Sequence, residues 1–243
     1  MEYRLCPSIL SADFNRLGEQ IKILEKEDAY PLAKALLNGG IDVIEVTYRS
    51  EHATSAIQTI SEQLPDMLVG AGTVLSVEQA KEAVEAGAKF IITPGFNTKV
   101  VQWCLDHDVE VYPGVSTASE VEMALSMGLT QLKFFPAESS GGAKKLKDLS
   151  APYANVHFMP TGGINTKNMH DYLSLPNVEA IGGSFMLPND LVVAKDWDGI
   201  EALSRSAIKS LLDFQLIHVG INTNSPEESK QVTDTLCSLF HFT

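Results

Sequence analysis

At 243 residues, 44% of them apolar and 20% charged, the chain has the size and composition of one large globular domain or two small ones, too apolar to be disordered and long enough to bury a core without disulfides. Eighteen basic against thirty-one acidic residues give a net charge of −13, which argues against nucleic-acid phosphates as a partner and leaves Lys144, Lys145 and Lys147 as a solvated helix face. Cys6, Cys104 and Cys237 lack disulfide or zinc spacing, the start MEYRLCPSIL lacks a signal-peptide core, and no run approaches the roughly 18 apolar residues of a membrane span, so a soluble cytoplasmic protein is expected.

In chain order, the first apolar run is Leu5 to Leu10, and two helical segments follow it: Asp13 to Glu27, capped by Asp13, and Asp28 to Asn38, ended by Gly39 and Gly40. Next come Val43 to Val46 and Met67 to Gly70, then the amphipathic Ser76 to Ala88 with Gly87 at its C-terminal end. Phe90 to Ile92, Val109 to Tyr112, Leu132 to Phe135, Val156 to Met159 and Glu179 to Ile181 complete eight short apolar runs. Most are continuous in apolarity, as parallel strands covered on both faces are. Their starts are separated by about 38 residues at first and by about 19 to 24 thereafter, the spacing of a βα repeat.

Eight such units predict an α/β fold, a (β/α)8 barrel over residues 1–212, with an extra helix after the first strand and its site at the C-terminal ends of the strands. An open doubly wound sheet is the alternative, but no GxGxxG follows an early strand. Trp197 to Leu212 supplies the last helix. The remainder, residues 213–243, reads as a strand (IHVGIN), a capped turn at Ser225 and an amphipathic helix, too little for a domain of its own.

Three features carry chemistry. Lys133 lies inside Leu132-Lys-Phe-Phe135, at the end of the sixth strand and just before Pro136, where desolvation favours a neutral amine able to attack a ketone and form a Schiff base. In Val43-Ile-Glu-Val-Thr-Tyr-Arg49, strand alternation puts Val43, Glu45 and Thr47 on one face. If that face is the interior, Glu45 is a candidate general acid and base, or the ion-pair partner of Lys133 or Arg49, and Arg49 offers a fork for a carboxylate. The glycine pairs in Pro160-Thr-Gly-Gly-Ile164 and Ile181-Gly-Gly-Ser-Phe185 follow the seventh and eighth strands, where barrel loops bind phosphate through backbone amides, and Ser184 adds a hydroxyl. His52, His107, His157, His170, His218 and His241 lack metal-ligand spacing, and Trp103 and Trp197 read as packing.

The stretches PLAKALLNGGIDVIEVTYRS, VGAGTV, PGVSTASEVEMAL, LKFFPAESSGG, PTGGI and IGGSFMLP, from about Asp28 to Leu212, resemble the class I 2-keto-3-deoxy-6-phosphogluconate aldolases, also called 4-hydroxy-2-oxoglutarate aldolases. The resemblance implies Lys133 as Schiff-base lysine and Glu45 as general acid and base. It also implies Arg49, Thr73 and Pro94 at the substrate carboxylate, Phe135 packed against the site, and Gly162, Gly163, Gly183 and Ser184 at the phosphate. It further implies reversible cleavage to pyruvate and glyceraldehyde 3-phosphate, a step of the Entner-Doudoroff pathway, without metal or cofactor, in a homotrimer. 4-Hydroxy-2-oxoglutarate or the galactonate epimer are alternative substrates.

Two stretches depart from that family. Residues 4–26, RLCPSILSADFNRLGEQIKILEK, resemble the opening of ribulose-phosphate 3-epimerase, which accounts for the doubled first helix as a fusion (residues 1–27), although the metal-binding His-x-Asp of that enzyme is absent from Ile41 to Thr47. The tail resembles the first unit of glyoxalase-type modules, in which the counterpart of His218 is a metal ligand, but the remaining ligands are missing. A metal-dependent epimerase or a non-catalytic chimera are the competing readings.

Overall fold

The computed structural model describes the backbone of residues 4–9, residues 28–212, and Ser225, Glu227, Lys230, Gln231 and Asp234. Its elements are β1 (Arg4–Ile9), α1 (Ala29–Asn38), β2 (Val43–Thr47), α2 (Ala53–Gln63), β3 (Leu68–Gly72), α3 (Val77–Glu85), β4 (Phe90–Ile92), α4 (Thr98–Asp106), β5 (Glu110–Tyr112), β6 (Gly114–Val115), α5 (Ala118–Ser126), β7 (Gln131–Phe134), α6 (Gly142–Ser150), β8 (His157–Pro160), α7 (Met169–Leu173), β9 (Ala180–Gly183), α8 (Asn189–Ala194) and α9 (Trp197–Leu211). Each predicted apolar run is a strand to within one or two residues.

The ladders are all parallel. One sheet runs β5-β4-β3-β2-β1-β9 and a second runs β6-β7-β8. They are stretches of one ring. β5 and β6 are separated by Pro113 alone, which has no N–H to give a ladder but still accepts from the Lys133 amide at 3.0 Å. Bridges between Phe158 and Val178 and between Thr161 and Gly182 join β8 to β9, and β9 pairs with β1 from Arg4↔Ala180 to Pro7↔Gly183. Counting β5 and β6 as one interrupted strand, the described residues give the eight positions of a (β/α)8 barrel. The break at Pro113 is the one departure from the predicted strand pattern, which ended at Tyr112.

Alternation along each strand divides the core in two. Ile44, Val46, Ile91, Leu132, Phe134 and Phe158 point outward into the large cluster shared with the helices. Val43, Phe90 and Ile92 form a smaller inner cluster, against which Tyr112 and Met159 pack. Some of the helices begin on side-chain caps: at α3 Ser76 accepts from Gln79 N at 3.2 Å, and at α4 Asn97 accepts from Lys99 N and Val100 N. Just past α3, Gly87 takes φ +108°, the left-handed turn that its predicted place at the helix end required.

The chain divides into two units, Met1–Leu212 and Asp213–Thr243. In the second, Glu227, Lys230, Gln231 and Asp234 are helical and exposed. The predicted helix Asp13 to Glu27, the tail strand and His218 lie outside the described residues. Among the described residues, no helix is long and apolar enough to cross a membrane.

Candidate active site

Strand parity aims two opposite charges at each other inside the barrel. Glu45 points inward from the middle of β2, between the inward Val43 and Thr47, and Lys133 points inward from β7, between the outward Leu132 and Phe134. The Lys133 ammonium Nζ donates to both Glu45 oxygens, each at 3.3 Å, and the two side chains are only 6% and 2% exposed. Space for the carboxylate comes from β3: a Cβ on Gly72 would run into Glu45, and one on Gly70 would run into the Phe90 ring. Both glycines lie in the VGAGTV stretch, which by itself implies no role for them. Their signal is the i, i+2 spacing, which puts both on one face of a strand and marks a close approach from across the interior. The Phe135 ring lies 5.1 Å from Lys133 Nζ, within cation–π range.

The other predicted residues lie at the same, C-terminal end of the strands. Arg49 follows β2 on a tight turn in which its amide donates to Thr47 O at 2.8 Å, and among the described residues nothing engages its guanidinium. Thr73, immediately after β3, sits at φ +53°, a conformation that a β-branched residue adopts only when its surroundings impose it. After β4, buried Thr93 donates to Gly95 O at 2.7 Å and fixes the Pro94 turn, which lies directly over Gly114 of β6. The loop after β6 is held by Glu120, which closes a capping box with Thr117 and accepts from the amides of Ser116 at 2.8 Å and Thr117 at 2.9 Å. Burial works to raise the Glu120 carboxyl, but the hydrogen bonds from Ser116 and Thr117 outweigh it and hold the group below the ordinary glutamate value.

Gly162 and Gly163, after β8, have φ +100° and +82°, two consecutive left-handed residues of the kind that glycine accepts without strain. Their carbonyls are already engaged: Gly162 O accepts from Glu138 N at 3.1 Å, and Gly163 O accepts from Asn165 Nδ2 at 3.2 Å and Asn168 Nδ2 at 3.0 Å. Among the described residues no group accepts from either glycine amide. Gly183 ends β9 and Ser184 follows it, with the two loops held side by side by the Thr161–Gly182 bridge. This end of the barrel therefore gathers the glycine loop amides, the Arg49 guanidinium and a buried lysine–carboxylate pair.

Among the described residues, other groups do not form a comparable centre. A cavity of about 900 Å³ opens at the opposite end, among strand starts that include Lys89, Glu110, Gln131, His157 and Glu179, where His157 pairs with Glu179 at 2.8 Å. Burial pushes the Cys104 thiol up to about 11, away from nucleophilic use. Among the described residues no group of three His, Cys, Asp or Glu side chains is placed to hold a metal ion.

The chain's relatives share this arrangement's lineage. The profile of the family described as "Aldolase: KDPG and KHG aldolase" matches residues 15–203, thereby taking in part of the segment that resembles the epimerase opening. The 2-dehydro-3-deoxy-phosphogluconate aldolase of Treponema pallidum is 48% identical over 183 residues, 75% of this chain and 87% of the relative. The KHG/KDPG aldolase of Escherichia coli K12 is 44% identical over 189 residues, 78% of this chain and 89% of the relative. Among solved structures, the KDPG aldolase of Legionella pneumophila, with pyruvate captured as a covalent carbinolamine, is 39% identical and superposes with a TM-score of 0.75, covering 83% of this chain and 92% of that one. By profile match, identity and coverage together, this chain belongs to the KDPG and KHG aldolase family.

Proposed function

We propose that this chain is a class I aldolase that reversibly cleaves 2-keto-3-deoxy-6-phosphogluconate to pyruvate and glyceraldehyde 3-phosphate through a Schiff base on Lys133. The observation that carries the reading is the buried contact of Lys133 Nζ with both oxygens of Glu45. A carboxylate at that distance takes a proton from the ammonium and frees the lone pair to attack the substrate's C2 carbonyl, giving a carbinolamine. Glu45 returns the proton to the departing hydroxyl as water leaves and the iminium forms. It then removes the proton of the C4 hydroxyl. The C3–C4 bond breaks, its electron pair flows into the iminium to give an enamine, and glyceraldehyde 3-phosphate departs. Protonation of the enamine at C3 and hydrolysis release pyruvate and regenerate the amine. The protonated iminium is the electron sink.

Arg49, with Thr73 and the Pro94 turn, holds the carboxylate of the keto acid, and the Phe135 ring flanks the amine. The strained Thr73 supports this assignment, since such conformations persist where a ligand needs a fixed backbone. The unengaged amides of Gly162 and Gly163, with Gly183 and Ser184, receive the distal phosphate. Borohydride reduction with pyruvate is the test: a reduced pyruvate adduct on Lys133 is expected, and no adduct on folded protein overturns the reading.

A second substrate has its own support, because the Escherichia coli relative is named for both KHG and KDPG. Comparing kcat/KM for 4-hydroxy-2-oxoglutarate, 2-keto-3-deoxy-6-phosphogluconate and its galactonate epimer, with and without Ser184→Ala, ranks the three. The proposal includes a homotrimer, about 79 kDa for three chains of 26.4 kDa, which sedimentation measures. It also places the enzyme in the cytoplasm, where phosphorylated sugar acids are retained because charged phosphates do not cross an apolar bilayer.

A further inference from the structure

The glycine loop proposed to take the phosphate is tied to the lysine-bearing strand by backbone hydrogen bonds, and a buttressing side-chain pair, Glu138 and Tyr172, stands behind them. Glu138 lies in the segment that continues β7 beyond Lys133. Its amide donates to Gly162 O at 3.1 Å, and the neighbouring Ala137 amide donates to Thr161 O at 2.8 Å, so the β8 loop rests on the β7 loop. The Glu138 side chain then reaches past the loop to α7, where Oε1 accepts the hydroxyl proton of Tyr172. Tyr172 is 1% exposed, and burial, reinforced by Glu138, pushes its hydroxyl well above the usual tyrosine range, so it remains a donor at working pH.

The glycines close around this link. A Cβ on Gly163 would stand 2.6 Å from Glu138 Cγ, and one on Gly142 would stand 3.6 Å from both Glu138 Oε1 and the Tyr172 hydroxyl. Gly162 in turn lies against Phe135, whose ring faces Lys133 Nζ. The chain of contacts therefore runs without interruption from the amine, through Phe135 and the β7 loop, to the anion-binding amides, and Tyr172 anchors its far end in the packed core.

We propose that Glu138 and Tyr172 are a positioning pair that fixes the span between Lys133 and the Gly162 and Gly163 amides, and thereby sets the preference for substrates that carry a distal phosphate. Neither side chain touches the reacting atoms. The inference rests on the aldolase reading above. It differs from a simple charge effect, because a carboxylate beside a phosphate site would by itself weaken phosphate binding.

The test compares kcat/KM for 2-keto-3-deoxy-6-phosphogluconate with kcat/KM for the same acid lacking the phosphate, alongside pyruvate trapping at Lys133. Tyr172→Phe is expected to lower the phosphorylated-to-unphosphorylated ratio about tenfold, the scale of one hydrogen bond to a charged acceptor, mainly through KM, with trapping unchanged. Glu138→Ala, at an exposed position, should do the same. Glu138→Gln, which keeps an acceptor for the tyrosine, should restore most of the ratio. Equal losses on both substrates, an unchanged ratio, or a ratio that rises in Glu138→Ala overturns the proposal. If the wild-type protein forms no adduct, it is the aldolase reading that fails.

Discussion

A double-mutant cycle on Lys133 and Glu45 puts the centre of the site to a thermodynamic test. At 3.3 Å and an effective dielectric of about 20, two unit charges attract by about 5 kcal/mol. Taking both out of water costs a comparable amount, so the intact pair adds little net stability, while removing one partner strands the other and costs about 3 to 5 kcal/mol. Lys133→Met and Glu45→Gln should each destabilise on that scale. The combination strands no charge, only the neutral amide that replaces the Glu45 carboxylate, and its stability should return to within about 1 to 3 kcal/mol of wild type. Urea unfolding at fixed protein concentration, with matched m-values, reads the cycle. If the double variant loses the sum of the two single losses to within about 0.5 kcal/mol, the charges are not coupled and the reasoning fails. The same proteins separate the chemical roles: Lys133→Met should give no borohydride adduct, whereas Glu45→Gln should still form one while turning over about a hundred- to ten-thousandfold more slowly.

Two further substitutions probe what surrounds the pair. Gly72→Ala drives a methyl into the Glu45 carboxylate, and should cost about 1 to 3 kcal/mol in urea unfolding and depress turnover far more than Gly128→Ala, whose Cβ meets nothing within 4 Å and whose φ of +81° should cost stability alone. Glu120 is held below its ordinary value of 4.5, so its contribution to stability is complete above that pH and is lost as pH falls through the lower, folded-state value. The stability gap between wild type and Glu120→Gln should accordingly narrow between about pH 5 and about pH 3, and a gap constant across that range would show that the hydrogen bonds from Ser116 and Thr117 do not favour the ionised form.

What the sequence made legible was whatever depends on one segment at a time. Continuous Val and Ile runs at regular spacing announced parallel strands, and alternation along Val43 to Thr47 was enough to aim Glu45 inward, because both follow from backbone period alone. Lys133 was conspicuous as a charge within an apolar run. Properties of closure were not legible. That Gly70 and Gly72 make room for Phe90 and Glu45 depends on which strands become neighbours around the ring, and a glycine by itself does not say what approaches it. The Glu138–Tyr172 link joins residues 34 apart through a loop whose path no periodicity encodes. The strain at Thr73 is a backbone angle imposed by the surrounding fold, against the residue's own preference.

The charge balance gains a sharper meaning from the geometry. A protein of net charge −13 that takes a substrate bearing both a carboxylate and a phosphate has to overcome a repulsive field, yet at physiological salt that field decays over about 8 Å, so the contest is decided within the pocket. At the proposed site the positive groups are few: the Arg49 guanidinium, Lys133, and amides whose own peptide carbonyls are bonded elsewhere. Because Thr161 O and Gly162 O, the carbonyls of the two peptides that carry the Gly162 and Gly163 N–H groups, are already committed to the amides of Ala137 and Glu138, the loop cannot rotate those peptides to present oxygen in place of N–H without breaking two hydrogen bonds. An anion meets dipoles that were oriented when the barrel folded, with little reorganisation left to oppose binding. This is also why the loop is written in glycine and not in lysine. A basic side chain would add charge, but glycine accepts two consecutive left-handed conformations at no steric cost.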